Sequence, residues 1–484
     1  MQQLTSLDAQ FLNVESPTTT GHVGSLILLD PGTAPGGRWD LEAVRGVLEP
    51  RLHLAPPLRR RLVEVPLGLA RPYWFDDPHF DIEFHLRELA LPVPGTREQL
   101  GEQVARIHAR PLDRSRPLWE GYVITGLEDG KAAYYSKIHH AAIDGISGAE
   151  ILETVMDITP EPREVVPPEE SPLTRRLPST LDLVRRGVTS AALNPVEVLR
   201  TVPRSLSYLD ELPGASNFPG SGVVSEAAGL VSRVLGGGSH VGHRDLQAPR
   251  TPFNGQITPH RRFAFGSVPL DDVKRVKNHF GMTVNDVVMT LTASALRRWL
   301  LDHDALPATP LVVAVPVSVR ERGEKGQIGN HVSVMTAELP TNLADPHERL
   351  VFMRESMTEA KRHFDAVPAT ILQDLSHMVP TALSGLAARG LFRLATVPGV
   401  LFNLFVSNVP GPQVPLYIAG AKVEGIYPVS AVTDWTGGLN ITLFSYEGDL
   451  DFGLVACREM VPDVWNLIGY LQEAVAELVD LAGE

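Results

Sequence analysis

Hydrophobic positions along this chain repeat with two periods, and the changes between them outline the secondary structure. Residues 23–29 (VGSLILL) predict a strand, and 41–52 and 97–108 carry the wider spacing of amphipathic helices. Two further strands, 118–125 and 132–138 (AAYYSKI), are expected to pair across the turn Glu128-Asp129-Gly130. After residue 157 the pattern breaks up. Pro160, Pro162, Pro167, Pro168 and Pro172 punctuate a polar stretch, and Gly236-Gly237-Gly238 mark a second break. From 261 the alternation resumes, with strands at 261–268, 311–319, 332–339, 406–409, 439–446 and 451–457. Pro316 assigns the 311–319 strand to an edge or a bulge. Helices are expected at 270–280 and 284–301, and a last one follows a cap at Asp463. The pattern predicts a two-domain α/β protein: a first half, 1–159, a connecting and covering region, 160–258, and a second half, 259–484.

Length and composition agree with that division. A chain of 484 residues exceeds one ordinary core. The formal charge of −14 argues against sequence-independent nucleic-acid binding, which needs a phosphate-neutralising surface. Cys457 is the single cysteine, so no internal disulfide and no thiolate metal cluster can form. The start lacks the basic and apolar regions of a signal peptide. No stretch reaches the ~18 uninterrupted apolar residues of a membrane span, so a soluble cytoplasmic protein is expected.

The chemistry concentrates at His139-His140-Ala141-Ala142-Ile143-Asp144-Gly145, between the strand at 132–138 and the helix signal Ser147-Gly148-Ala149-Glu150. Adjacent residues on a strand point opposite ways, so one imidazole at most readily faces a cleft. His140 is the candidate general base, because a neutral imidazole accepts a proton from an alcohol attacking an acyl carbon. Asp144 and Gly145 would hold the turn, with Arg320 as a possible partner for the carboxylate. No G-x-S-x-G elbow is present, which favours direct attack by the acceptor over a covalent acyl-enzyme. A metal-ligand pair or a structural pair is the alternative for His139 and His140.

HHAAIDG resembles the HHxxxDG signature of the CoA-dependent acyltransferases, a superfamily that includes chloramphenicol acetyltransferases and peptide-synthetase condensation domains. Residues 4–26 (LTSLDAQFLNVESP…HVGSL), Pro117-Leu118-Trp119, Asn285-Asp286 and 407–412 (SNVPGP) narrow the resemblance. Together they resemble the bacterial wax ester synthase/diacylglycerol acyltransferase family. That resemblance implies a chloramphenicol-acetyltransferase-like fold with a tunnel between its halves. It implies transfer of a long-chain acyl group from acyl-CoA to diacylglycerol, or to a fatty alcohol, with no metal or redox cofactor. His140 would deprotonate the hydroxyl while His139, Asp144 and Gly145 shape the turn, and Asn285 would assist as an oxyanion donor or substrate-positioning group. Pro117, Leu118, Trp119, Asp286, Ser407 and Asn408 are the expected substrate-binding residues.

Several of these positions carry a plainer reading. Thr283 and Asp286 have the spacing of a capping box, and Leu118-Trp119 suits core packing. Asp434-Trp435-Thr436-Gly437-Gly438 partly matches a structural motif of plant acyltransferases. His240 and His243 lack the companions of a metal site. Residues 382–405 suit core, or an interfacial helix if the insoluble substrates enter from a membrane or lipid-droplet surface. The competing functions are an acyltransferase with another hydroxyl or amine acceptor, and a catalytically silent lipid-binding protein.

Overall fold

The computed structural model describes residues 1–66, 70–143, 148–166, 178–179, 181–185, 248–318, 332–366, 402–434 and 436–483. In the first half the strands are β1 (Gln2–Gln3), β2 (His22–Asp30), β3 (Arg60–Val63), β4 (Tyr73–Asp76), β5 (Leu86–Ala90), β6 (Trp119–Thr125) and β7 (Ala132–His139). Then follow β8 (Arg261–Pro269), β9 (Leu311–Ser318), β10 (Val332–Leu339), β11 (Leu404–Val409), β12 (Tyr417–Ile418), β13 (Ala421–Val429), β14 (Leu439–Tyr446) and β15 (Asp449–Cys457). The helices are α1 (Ser6–Asn13), α2 (Leu41–Leu48), α3 (Ile82–His85), α4 (Arg97–His108), α5 (Gly148–Val155), α6 (Leu270–Phe280), α7 (Val284–Asp302), α8 (Pro346–Ala366) and α9 (Trp465–Leu481). Most of the expected connecting region lies outside the described residues.

Two six-stranded mixed sheets carry the α/β architecture that the sequence predicted. The first runs β12-β13-β2-β7-β6-β5 and the second β10-β9-β11-β14-β15-β8. β2 explains its unbroken apolar run by being covered on both faces. Ile27 and Leu29 enter one core, and Leu26 and Leu28 enter another that also holds Phe263, Phe265 and Val455 of the second sheet. That shared core joins the halves. On the far face of the second sheet α6, α7, α8 and α9 bury a third core around Trp299, Leu296 and Leu471.

The first sheet is not built from the first half alone. β13 pairs antiparallel with β2 from Lys422↔Asp30 to Val429↔Gly24, and β12 extends it. Asp157 and Tyr417 exchange main-chain hydrogen bonds of 2.9 and 2.8 Å, tying the end of the first half to this returning segment. Gly453 allows a close approach between the sheets: a Cβ there would lie 1.7 Å from the Pro428 carbonyl oxygen. Glycine is required by contact rather than by backbone angle.

Two local expectations change. β9 is an interior strand, yet β11 pairs with it only at Val313 and Ala314, so the missing N–H of Pro316 falls beyond the last β11 partner. Asp463 does not cap α9 with its side chain: its carboxylate accepts the Trp299 indole N–H at 3.1 Å and the Asn466 amide at 3.0 Å. Among the described residues no helix is long and apolar enough to cross a membrane.

Asp451 stands at the junction of the sheets. Its carboxylate accepts the Ile426 N–H at 2.7 Å and the Ser267 hydroxyl at 2.6 Å, and burial pushes its pKa up to about 7. The folded chain therefore holds this proton where the unfolded chain, with a pKa near ~3.9, has released it. Stability is expected to fall as pH rises from about 4 to about 7. Asp451→Asn should flatten that slope in urea midpoints measured across the range; an unchanged slope would assign it to other groups.

Candidate active site

β7 delivers the histidines, and its penultimate inward residue fixes where it ends. Lys137 is 1% exposed, and its ammonium donates to the carbonyls of Ile107 (3.1 Å) and Arg110 (3.0 Å) at the C-terminal end of α4. Glu120 lies 3.1 Å away on the neighbouring strand and balances the charge. A cation on the last carbonyls of a helix is favourably placed. The strand is thus pinned one turn of the pleat before His139.

His139 closes β7 with its ring buried. Its Nδ1 accepts the Ala141 N–H at 3.1 Å, which leaves the proton on Nε2, 3.1 Å from Glu15 Oε1. Glu15 also accepts the Gly21 N–H at 2.9 Å and Arg114 at 2.6 and 3.2 Å. Burial opposes its ionisation, but His139, Gly21 and Arg114 overcome that and hold the carboxyl at about 2.

His140 begins the 3₁₀ turn His140–Ile143, half-buried rather than enclosed. Its N–H donates to the Gly21 carbonyl at 2.8 Å, and its ring stacks on Phe11 at 4.2 Å and 19°. Burial, then the neighbouring His139, pushes its pKa down to about 4, against a smaller opposing pull from Asp8. The imidazole is neutral near pH 7. His22, opposite His139 in the β2–β7 register, is likewise pushed down by burial and then by His108, so no cation replaces the missing one.

Gly21 is where this geometry is tightest. A Cβ there would lie 2.7 Å from His139 Nε2 and 2.8 Å from the Phe11 carbonyl oxygen. Gly21→Ala is therefore expected to destabilise by about 1–3 kcal/mol and to displace the turn. Unfolding midpoints and turnover measured together check it, and wild-type values in both would refute it.

A second group of expected residues gathers on the other half. Asn408 donates through a long contact, 3.5 Å, to Asn285 Oδ1 at the start of α7. Ser407, half-buried, sits opposite Thr442 in the β11–β14 register, on the face where Phe444 packs into the first-half core. Asp286 caps α7, its carboxylate accepting the Thr283 N–H at 2.8 Å while its own N–H returns to Thr283 Oγ1 at 3.2 Å. That pairing gives Asp286 the capping role its spacing suggested, with Oδ1 left over.

Pro117, Leu118 and Trp119 are buried and pack. The Trp119 indole donates to the Leu58 carbonyl at 2.7 Å and its ring stacks on His85 at 4.7 Å, the core packing that the Leu-Trp pair also suited. Near the 434–438 motif, Asp434 accepts the Ile257 N–H at 2.8 Å and Gly438 donates to the Phe253 carbonyl at 2.7 Å. Phe405 belongs to β11, not to a helix. Asp144, Gly145, Arg320, Trp435, His240, His243 and residues 382–401 lie outside the described residues. No group of three potential metal ligands occurs among the described residues.

Sequence reasoning missed Glu15, Lys137 and the strip Ser430–Thr442–Asn440, linked by hydrogen bonds of 2.8 Å each. His108 reaches the Ser430 carbonyl at 3.2 Å, joining this strip to the first half. Glu15 lies inside the N-terminal motif at 4–26, but nothing local to that motif points to His139.

The catalytic-domain model of the wax ester synthase/diacylglycerol acyltransferases matches residues 4–288, and the C-terminal-domain model of the same group matches 328–479. A Mycobacterium tuberculosis protein bearing the name diacylglycerol O-acyltransferase is 34% identical over 486 residues, covering 100% of this chain and 91% of that one. The O-acyltransferase WSD of Acinetobacter baylyi is 32% identical over 481 residues, covering 98% and 96%. The solved wax ester synthase/diacylglycerol acyltransferase from Marinobacter aquaeolei superposes with a TM-score of 0.68 at 30% identity, covering 100% of both chains. The first condensation domain of the CDA synthetase gives 0.52 at 17%, covering 100% and 96%, a likeness of fold alone.

Proposed function

The chain belongs to the wax ester synthase/diacylglycerol acyltransferase family and is an acyltransferase of lipid biosynthesis, and from that premise we propose that it esterifies diacylglycerol with long-chain acyl-CoA. A fatty alcohol is the second acceptor. His140 takes the hydroxyl proton as the oxygen attacks the thioester carbonyl, and a tetrahedral oxyanion forms. The carbon–sulfur bond then breaks and the CoA thiolate leaves, taking the proton from the imidazolium. Alcohol and thioester become ester and thiol, with no electron transferred and no acyl-enzyme formed. The observation that carries this reading is the neutral, half-buried His140 ring at the head of the turn, whose unprotonated nitrogen is the proton acceptor the step requires.

Asn285 is the oxyanion donor in this scheme. Its Oδ1 accepts from the Asn408 NH₂, which leaves the Asn285 NH₂ as the group to donate. One such donor is worth about 3 kcal/mol of barrier. Ser407 and Asn408 line the second half's side of the cleft. Because both lipids are insoluble, the enzyme works peripherally, at a membrane or lipid-droplet surface.

The test is thiol release from palmitoyl-CoA by the purified chain, with diacylglycerol, hexadecanol and a panel of other hydroxyls and amines as acceptors. Release with diacylglycerol, and a triacylglycerol product, supports the reading. Release only with a non-lipid acceptor, or with none, rejects it.

A further inference from the structure

The N-terminal helix and the residues just after it have no role in the reaction described so far, yet their inward face meets both histidines. Asp8 and Phe11 fall at i and i+3 on one stripe of α1, and Glu15 follows two residues after the helix ends at Asn13. Phe11 covers the His140 ring, and Glu15 reaches His139. Asp8 is fully buried.

Glu15 touches both sides of the catalytic turn through two separate relays. On one side its Oε1 stands 3.1 Å from His139 Nε2, an ion-pair distance outside hydrogen-bond geometry, while Nδ1 of the same ring holds the Ala141 N–H. Ala141 is the residue after His140. On the other side it receives the Gly21 N–H, and the carbonyl of Gly21 accepts the His140 N–H. Arg114 pins the far carboxylate oxygen and also donates to the Leu12 carbonyl at 2.7 Å, so the carboxylate cannot swing away from α1. The backbone on both sides of the base therefore refers to one side chain.

We propose that Glu15 is the positioning residue of the site: acting through His139 and Gly21, it sets the direction in which His140 faces the substrate hydroxyl. The inference deepens the acyl-transfer reading and rests on it. Removing a partner that orients a functional imidazole typically costs about 10–100-fold in rate. The base contributes nothing once absent, so the loss must vanish without it.

The experiment compares Glu15→Ala, His140→Ala and the double variant in thiol release from palmitoyl-CoA with diacylglycerol. Glu15→Ala should lower kcat about 10–100-fold while KM for palmitoyl-CoA stays within about twofold. In the His140→Ala background it should take nothing further. A further loss there, or a fall confined to KM, would mean a structural role only and overturn the proposal. So would a folded Glu15→Ala with wild-type kcat. Should Glu15→Ala fail to fold, Glu15→Gln replaces it, with a smaller fall in kcat expected and wild-type kcat again overturning the idea. The His139 Nε2 proton, beside Glu15 in the wild type, is expected at an NMR shift that moves in Glu15→Ala and, by less, in Glu15→Gln; an identical shift in all three overturns the contact. A wild-type chain that transfers no acyl group would defeat the functional reading while leaving this resonance to test the contact.

Discussion

His140→Ala is expected to lower turnover at least ~10²-fold while the chain stays folded. The ring is half-buried at a turn, stacked on Phe11, beside the buried His139 that closes the strand. Circular dichroism and thiol release on the same preparation check both parts. Turnover within about threefold of wild type would remove His140 from the reaction. The low pKa adds a signature in pH. A base with a pKa of about 4 is lost only as pH falls through that value, so kcat/KM should stay level from pH 7 to about pH 5. An acid limb centred near ~6.5, the value of an unperturbed imidazole, would show that the ring is solvated in the working enzyme.

The largest loss of stability is expected from Asp157→Ala. Arg51 is 2% exposed and Asp157 4%, with guanidinium nitrogen to carboxylate distances of 2.9 and 3.0 Å. Arg51 Nη2 also donates to the Arg163 carbonyl at 3.2 Å. Truncating the carboxylate leaves a buried cation with main-chain oxygens alone, a change that costs about 3–5 kcal/mol. Replacing both residues with apolar ones, Arg51→Met with Asp157→Leu, should recover most of that loss. Urea midpoints of the three variants read the outcome. A single variant as stable as the wild type would show that water reaches the guanidinium.

The periodic elements were legible because their burial is simple. The helices at 97–108 and 270–280 and the strands at 332–339 and 439–446 carry one uninterrupted period each, and the structure reproduces their bounds. β13 was hidden by its own irregularity. Its pairing with β2 shifts register between Val423 and Gly425, with Glu424 pushed outward, so buried Val423 and Ile426 are out of step with alternation. β1, β4 and β5 are too short, at 2–5 residues, to show a period at all. The histidine turn could be placed because a β-rich run stops there. Glu15 could not, because a carboxylate before Ser16-Pro17 looks like any surface residue until the fold brings β2 and β7 together. Asp286 and Trp119 show how a motif residue can also serve the fold, at a helix end and in the core.

The late arrival of β13 has a consequence for how the chain is made. Until residue 429 has been synthesised, β2 presents one bare flank of main-chain donors and acceptors, although β7 has long since covered the other. At ordinary ribosomal speeds the interval between Asp30 and Val429 lasts roughly 20–80 s. During that time the strand is an open template for a neighbouring nascent chain, and any polypeptide truncated before residue 421 keeps it open permanently.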